Sequence, residues 1–286
     1  SQDRRQGHEV MPSVVYLLGL TIFALTTSEF MVAGMMPALS AAFTVSVAEI
    51  GYLISLYAVG MAIGGPLVTA LLLRLKAPNK PALLVLLGLY VMGGVLAALA
   101  PGYGVMAIAR IVTGAASSAC FGVALAIAAD LVTPQERGRA ASIVLGGLML
   151  APVFGLPVTT AIEQGFGWRA SFWSVAVLAM LAAALVAVFV PLSKSHIENG
   201  LGAELDALRK GRLWAAYATS GLIIGATFAA FSYAVPLFID MTKLSPATIP
   251  TLLAAYGGAN VIGNLVVGRF ADRPTIPILL AGPTAL

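Results

Sequence analysis

One acid and one base stand out in a chain that is otherwise oily. Glu29 lies in Thr27-Ser28-Glu29-Phe30-Met31-Val32-Ala33-Gly34-Met35-Met36-Pro37, with no lysine or arginine between Arg5 and Arg74. Arg110 opens a second apolar stretch, Arg110-Ile111-Val112-Thr113-Gly114-Ala115-Ala116-Ser117-Ser118-Ala119-Cys120-Phe121-Gly122. A charged side chain deep in a bilayer costs roughly 2.5–3.5 kcal/mol on insertion scales. It is tolerated where it faces a cavity, finds a partner or takes up a proton, and each outcome points to transport. Counted as helix, Glu29 lies roughly 12 Å below Pro37 and Arg110 roughly 10 Å below Tyr103, at similar depth from one face. Two readings follow. The pair locks two helices, each charge lowering the other's desolvation cost, or Glu29 faces a cavity and carries a proton.

The elements that must hold these groups are membrane helices. Hydrophobic residues make up 59% of the 286 and charged residues 10%, far below the roughly 25% charge of a soluble domain. Nine apolar segments are expected, at about 12–38, 48–73, 81–100, 103–131, 139–163, 169–191, 213–239, 247–268 and from Thr275 onward. Most exceed the ~20 residues a helix needs to cross a bilayer. The first is too long for a signal-peptide core and is read as a retained helix. The ninth reaches Leu286 after about a dozen residues, short of a span. The chain is thus expected to be an all-α polytopic membrane protein. A six-helix bundle fills 1–191, a linker with a short amphipathic helix 192–212, and the start of a second bundle 213–286.

Positive charge sets the expected orientation. Thirteen basic residues fall in alternate connections: Arg4, Arg5, Arg74, Lys76, Lys80, Arg137, Arg139, Lys194, Arg209, Lys210, Arg212, Arg269 and Arg273. The opposite side has only Arg169 and Lys243, two in all. The positive-inside rule then places the N-terminus in the cytoplasm. These charges are topology signals, so the net charge of +4 does not imply nucleic acid as a partner.

An internal repeat supports the division. A shift of 199 residues lays Pro37 on Pro236, Tyr57 on Tyr256, Gly64 on Gly263 and Arg74 on Arg273. It lays Glu29 on Phe228, so the scaffold recurs and the acid does not. Parallel repeats of six helices are a known transporter plan, with the site between the halves. Within the fourth segment, small residues at spacings of four suit close helix packing, which leaves Arg110 unexplained. In the fifth, Gly146-Gly147-Leu148-Met149-Leu150-Ala151-Pro152-Val153-Phe154-Gly155-Leu156-Pro157 is expected to bend. Thr227, Ser232, Tyr233, Tyr256, Asn260 and Asn264 offer polar groups to a cavity or to neighbouring helices. Asp272 between Arg269 and Arg273 invites a charge cluster that holds one side shut.

Several classes are excluded or disfavoured. No phosphate-binding Gly-x-x-x-x-Gly-Lys-Ser/Thr loop is present. Both histidines, His8 and His196, lie in polar segments, which offers no intramembrane metal or Ser–His site. An enzyme is not expected, nor a metal. The lone Cys120 rules out an internal disulfide. A filter loop or charge ring for a channel is not apparent.

The chain resembles the major facilitator superfamily, and within it the drug:proton antiporters with twelve helices, especially sugar- and arabinose-efflux-like bacterial members. Ser28-Glu29-Phe30 through Gly34 and Pro37 is similar to the family's first-helix motif. Arg110 with Gly114 is similar to its fourth-helix motif, and Gly147, Ala151, Pro152 and Gly155 to its antiporter motif, with Ala151 in place of a glycine and Leu156 in place of the last one. The pattern after the second helix departs: Gly65 and Leu67 fit, but Thr69 and Ala70 replace its Asp-Arg, and only Arg74 remains of the basic end. The resemblance implies two six-helix bundles alternating about a central cavity, and proton-coupled export of small organic solutes or drugs from a bacterial inner membrane. It implies proton coupling by Glu29 and Arg110, and a substrate cavity drawing on Phe30, Met31, Gly34, Thr113, Ser117, Thr227, Tyr233, Tyr256 and Asn260. It implies a cytoplasmic gate at Arg74, Arg269, Asp272 and Arg273. No cofactor is implied beyond the proton gradient; the partners are a small-molecule substrate and the lipid bilayer, and the protein acts as a monomer. A symporter or uniporter for a sugar or nucleoside is the alternative on this fold.

Overall fold

A computed structural model describes residues 11–192 and 211–270. Apolar runs become helices because lipid offers backbone amides and carbonyls no partner, so each segment must satisfy its own. The helices are α1 (Ser13–Gly34), α2 (Val47–Arg74), α3 (Asn79–Ala98), α4 (Tyr103–Asp130), α5 (Arg137–Phe166), α6 (Trp168–Phe189), α7 (Gly211–Ser232) and α8 (Ile249–Phe270). Among the described residues, seven helices are long and apolar enough to cross a membrane, the last of them Ala218–Asp240. The linker helix expected at 192–212 falls largely, and the ninth segment wholly, outside the described residues.

The first span is not one helix, as 12–38 would suggest. It pauses at Met35 and resumes as Met36–Phe43. Pro37 has no N–H to give the carbonyl four residues back, and its ring crowds that carbonyl. α7 behaves alike: it pauses at Tyr233 and resumes as Ala234–Asp240, which contains Pro236. The following turns match too. Thr44 and Lys243, 199 residues apart, are both left-handed, at φ 53° and 54°. The repeat therefore extends from residue types to backbone conformation.

α2 and α5 each contain one π-helical turn, Gly60–Gly64 and Ala151–Gly155. Two residues beyond each stands a proline, Pro66 and Pro157. Each removes a donor from the ladder, and the widened turn absorbs the mismatch. The bend expected in α5 thus has a counterpart in α2.

Small residues set the spacing between helices. A methyl added at Gly114 of α4 would strike the Tyr57 carbonyl of α2, and one at Gly60 would strike the Ile111 carbonyl. On the other flank, Gly147 of α5 lies against the Gly19 carbonyl of α1, and Gly155 against Thr27. α2 starts with a capping box in which the Ser46 amide donates to Glu49 Oε2 at 2.7 Å.

The core of the first six helices comes in two apolar clusters. One includes Leu18, Ile22, Leu25, Tyr90, Ala116 and Cys120. The other includes Met31, Met35, Leu53, Ala97, Met106 and Ala109. They part at Thr26–Ser28 on α1 and at Arg110–Thr113 on α4, where the buried side chains are polar. A third cluster, of Ala33, Leu156, Phe231, Val235, Ile249 and Leu253, joins the first six helices to α7 and α8.

Candidate functional site

The polar layer between the two apolar clusters is built around Arg110, only 1% exposed. Arg110 Nη1 donates to the Ser28 carbonyl at 2.8 Å and to Ser28 Oγ at 3.3 Å. Its Nη2 donates to the Glu29 carbonyl at 3.4 Å, and its Nε to the Leu53 carbonyl at 3.4 Å. The Tyr57 ring lies against the guanidinium, its centroid 4.2 Å from Cζ. A buried guanidinium thus finds main-chain oxygens on α1 and α2 and an aromatic face, the partners its planar, weakly hydrated group favours. Behind it, the Tyr90 hydroxyl of α3 donates to the Leu25 carbonyl at 3.1 Å. Four helices are tied together at one level.

Glu29 is not paired with Arg110 as an ion pair. Among the described residues, the guanidinium bonds to the main chain of residue 29 and leaves the carboxylate out. The side chain is half-buried. The reason is geometric: neighbours on a helix point about 100° apart, so the Ser28 and Glu29 carbonyls meet α4 while the Glu29 side chain takes another direction. Phe30, the next residue, reaches the second half of the chain. Its ring centroid lies 5.3 Å from that of Phe228 and 5.8 Å from that of Phe231, both on α7. Phe231 in turn stacks on Tyr256 of α8 at 4.9 Å. The acid therefore sits between a cationic anchor inside the first half and an aromatic contact to the second.

Contacts between the halves concentrate toward the end that carries the α1–α2 and α7–α8 connections. Gln164 Nε2 donates to the Pro246 carbonyl at 2.7 Å, Gly51 meets the Tyr233 hydroxyl, and Gly257 of α8 meets the Pro152 carbonyl. Away from that end, residues 218–227 of α7 are exposed throughout.

This arrangement of helices has counterparts. Residues 18–286 match the family described as the Major Facilitator Superfamily. The chain belongs to the Major Facilitator Superfamily. Its relatives are transporters, not enzymes. It is 34% identical over 281 residues to a chloramphenicol resistance protein of Streptomyces lividans, covering 96% of this chain and 71% of that one. It is 34% identical over 265 residues to the inner membrane transport protein YdhP of Escherichia coli K12, covering 90% of this chain and 66% of YdhP. The chain thus spans about two thirds of the length of these relatives. Among solved structures, a bacterial homologue of the human lysosomal transporter Spinster, inward-facing and unoccupied, superposes with a TM-score of 0.70. At 18% identity, over 94% of this chain and 65% of that one, the likeness is one of fold.

In this superfamily member the expected cavity residues divide. Thr227, Tyr233, Tyr256 and Asn260 are exposed and Phe30 is half-buried. Met31, Gly34, Thr113 and Ser117 are buried against neighbouring helices. Met31 is fully buried in an apolar cluster, and Gly34 is closed off by Thr160 and Leu156. Thr113 Oγ1 bonds back to the Ala109 carbonyl at 2.8 Å while its methyl meets Gly93 of α3, and Ser117 is fully buried. They share helices with the site but sit on faces turned to neighbouring helices. Of the residues that resemble an antiporter motif, Gly147 and Gly155 press α5 on α1, and Ala151, Pro152 and Gly155 form the π turn. Arg74 ends α2 and is exposed. The side chains of Arg269 and Asn264 lie outside the described residues, as do Asp272 and Arg273. Tyr57, Leu53 and Ser28 were not expected at the site. Tyr57 did carry a signal, its recurrence at Tyr256.

Proposed function

We propose that the protein is a proton-coupled secondary transporter that exports a small organic solute by alternating access, with Glu29 as the proton site. The observation that carries this reading is the Glu29 carboxylate: half-buried, without a hydrogen bond or ion pair among the described residues, and flanked by Ser28 on Arg110 and Phe30 on α7. A carboxyl so placed can hold a proton at one stage and release it at another, because its neighbours move with the two halves. When it is ionised, the positive charge of Arg110, held on the adjoining carbonyls, favours the carboxylate without a bond to it. When it is protonated, the carboxyl is neutral and Arg110 stays on its main-chain oxygens.

The directional part rests on three supports. Positive charge on the 74–80 and 137–139 connections favours a cytoplasmic N-terminus in a bacterial inner membrane. With that orientation, the contacts between the halves lie at the periplasmic end and the exposed stretch 218–227 of α7 lies toward the cytoplasm. The antiporter motif packs α5 against both α1 and α8, where a change between bundles would be felt. The bundles are those of 1–191 and from 213 onward. One relative's name associates it with chloramphenicol resistance, which makes that compound the first probe for export here.

The test uses full-length protein in proteoliposomes, with a panel of drugs, sugars and nucleosides and an imposed proton gradient. Proton entry should drive substrate the opposite way, and Glu29→Gln should abolish that coupling. Undiminished proton-driven export by the Gln variant would remove Glu29 from the mechanism. Proton and substrate moving together would replace antiport with symport.

A further inference from the structure

Tyr57 is 1% exposed and sits on α2 one turn before the π turn. A buried tyrosine ordinarily places its hydroxyl on a partner, yet this hydroxyl forms no well-made hydrogen bond. What the residue does contribute is the face of its ring, 4.2 Å from the Arg110 guanidinium carbon. At the matched position in the repeat, Tyr256 stacks on Phe231 instead. The tyrosine recurs, but among the described residues only the first copy covers a cation.

That face matters because the other holds on the guanidinium are uneven. The bond to the Ser28 carbonyl is short, at 2.8 Å. The bonds from Nε to Leu53 and from Nη2 to Glu29 are both 3.4 Å, beyond the usual 2.7–3.2 Å range. A carboxylate attracts a guanidinium far more strongly than a carbonyl does in a medium of low polarity. The carboxylate in question belongs to a residue whose own main chain the guanidinium already touches. Stacking on an aromatic face favours the present position and opposes the swing. Of the titratable and charged groups on the described helices around Glu29, α2 brings Tyr57, α3 brings Tyr90 and α4 brings Arg110.

We propose that Tyr57 is a positioning residue whose ring holds the Arg110 guanidinium off the Glu29 carboxylate. Its meaning for transport rests on Glu29 being the proton site, but the contact is testable without transport. A free carboxylate is what a proton site needs: one locked to Arg110 through the whole cycle would have no reason to exchange protons.

The experiment is a set of double-mutant cycles read by thermal unfolding of the full-length protein in detergent. Glu29→Gln is combined with Tyr57→Leu, Tyr57→Met, Tyr57→Phe and Tyr57→Trp. In the Leu and Met backgrounds the released guanidinium pairs with Glu29, so Glu29→Gln should lower Tm there by about 2–4 °C more than it does in the parent, the shift of an interaction worth a factor of a few. Phe and Trp keep an aromatic face and should give additive cycles. A tyrosine that merely fills space would lower Tm equally whatever stands at 29. Additivity in the Leu and Met backgrounds overturns the proposal. That result leaves the proton-site reading standing, since that reading fails only on the transport of Glu29→Gln itself.

Discussion

Gly114 on α4 lies directly against the carbonyl oxygen of Tyr57 on α2, leaving no room for a methyl group. The same turn of α4 carries Arg110, and the same turn of α2 carries its aromatic cover. The spacing of the two helices is therefore also the geometry of the cation site.

Gly114→Ala should thus act on function through packing. The backbone of α2 must shift to admit the methyl, with a cost of about 1–3 kcal/mol by analogy with overpacked cores. Gly122→Ala, on the same helix with nothing within 4 Å of the added carbon, is the control. Lowered Tm and lost transport are expected for the first and neither for the second. Equal behaviour of the two would refute the account of α2–α4 packing.

Arg110→Lys should lose proton-driven transport although the charge is kept. A lysine offers a compact ammonium, without the planar fork that spans Ser28, Glu29 and Leu53 or the flat face that stacks on Tyr57. At least a tenfold fall in proton-driven flux is expected, roughly the 1.4 kcal/mol of one charge-assisted hydrogen bond. Flux equal to the parent's would show that charge alone suffices.

Much of this site was legible from residue types. Glu29 and Arg110 stood out because lipid makes ionisable side chains conspicuous, and the match of Pro37 with Pro236 was visible, though not that each interrupts its helix. What could not be read was rotation. α1 is apolar on every side, so no period identifies its inward face, and the residue types do not reveal that Met31 and Gly34 pack against neighbouring helices. For the same reason the residue types left open whether Arg110 pairs with the Glu29 side chain or Glu29 faces a cavity, and the carbonyls that hold Arg110 were not anticipated. A main-chain acceptor leaves no trace in sequence, since every residue has one.

Cys120, the single cysteine of these 286 residues, is fully buried in the apolar cluster that includes Leu18, Ile22 and Tyr90. Its reaction with a maleimide should therefore track unfolding and stay slow in native protein, under either imposed gradient. A thiol-reactive fluorophore followed during heating checks this. Fast labelling at ambient temperature would mean that α4 is not packed as described.

Pro157 is predicted to set the π turn of α5. Replacing it by alanine restores an N–H to the carbonyl of Val153 and removes the ring that crowds it, so Ala151–Gly155 should relax toward regular α-helix. Stability should rise or hold, while transport slows, because Gly155 would rotate away from Thr27 and the contact of Pro152 with Gly257 would be lost. Hydrogen exchange at residues 151–157 reports the first change and flux the second. Pro66→Ala in α2 provides the matched case, since its π turn packs on Ile111 and Ala115. Unaltered exchange in both variants would place the origin of the π turns outside the prolines.

The contact of Gln164 with Pro246, at 2.7 Å, joins the two halves at the end where they meet. If transport requires that end to open, holding it shut must stop the cycle. In a background with Cys120→Ser, Gln164→Cys and Pro246→Cys introduced together should be bridged by a short bifunctional thiol reagent. A cleavable reagent should arrest flux on addition and release it on reduction, while either single variant keeps its activity. Pairs placed along the exposed stretch 218–227 of α7 and the facing side of α1 should not be bridged by the same short reagent in this conformation. Unchanged flux after complete cross-linking would mean that this end stays closed throughout, and the alternating movement would have to be sought elsewhere in the chain.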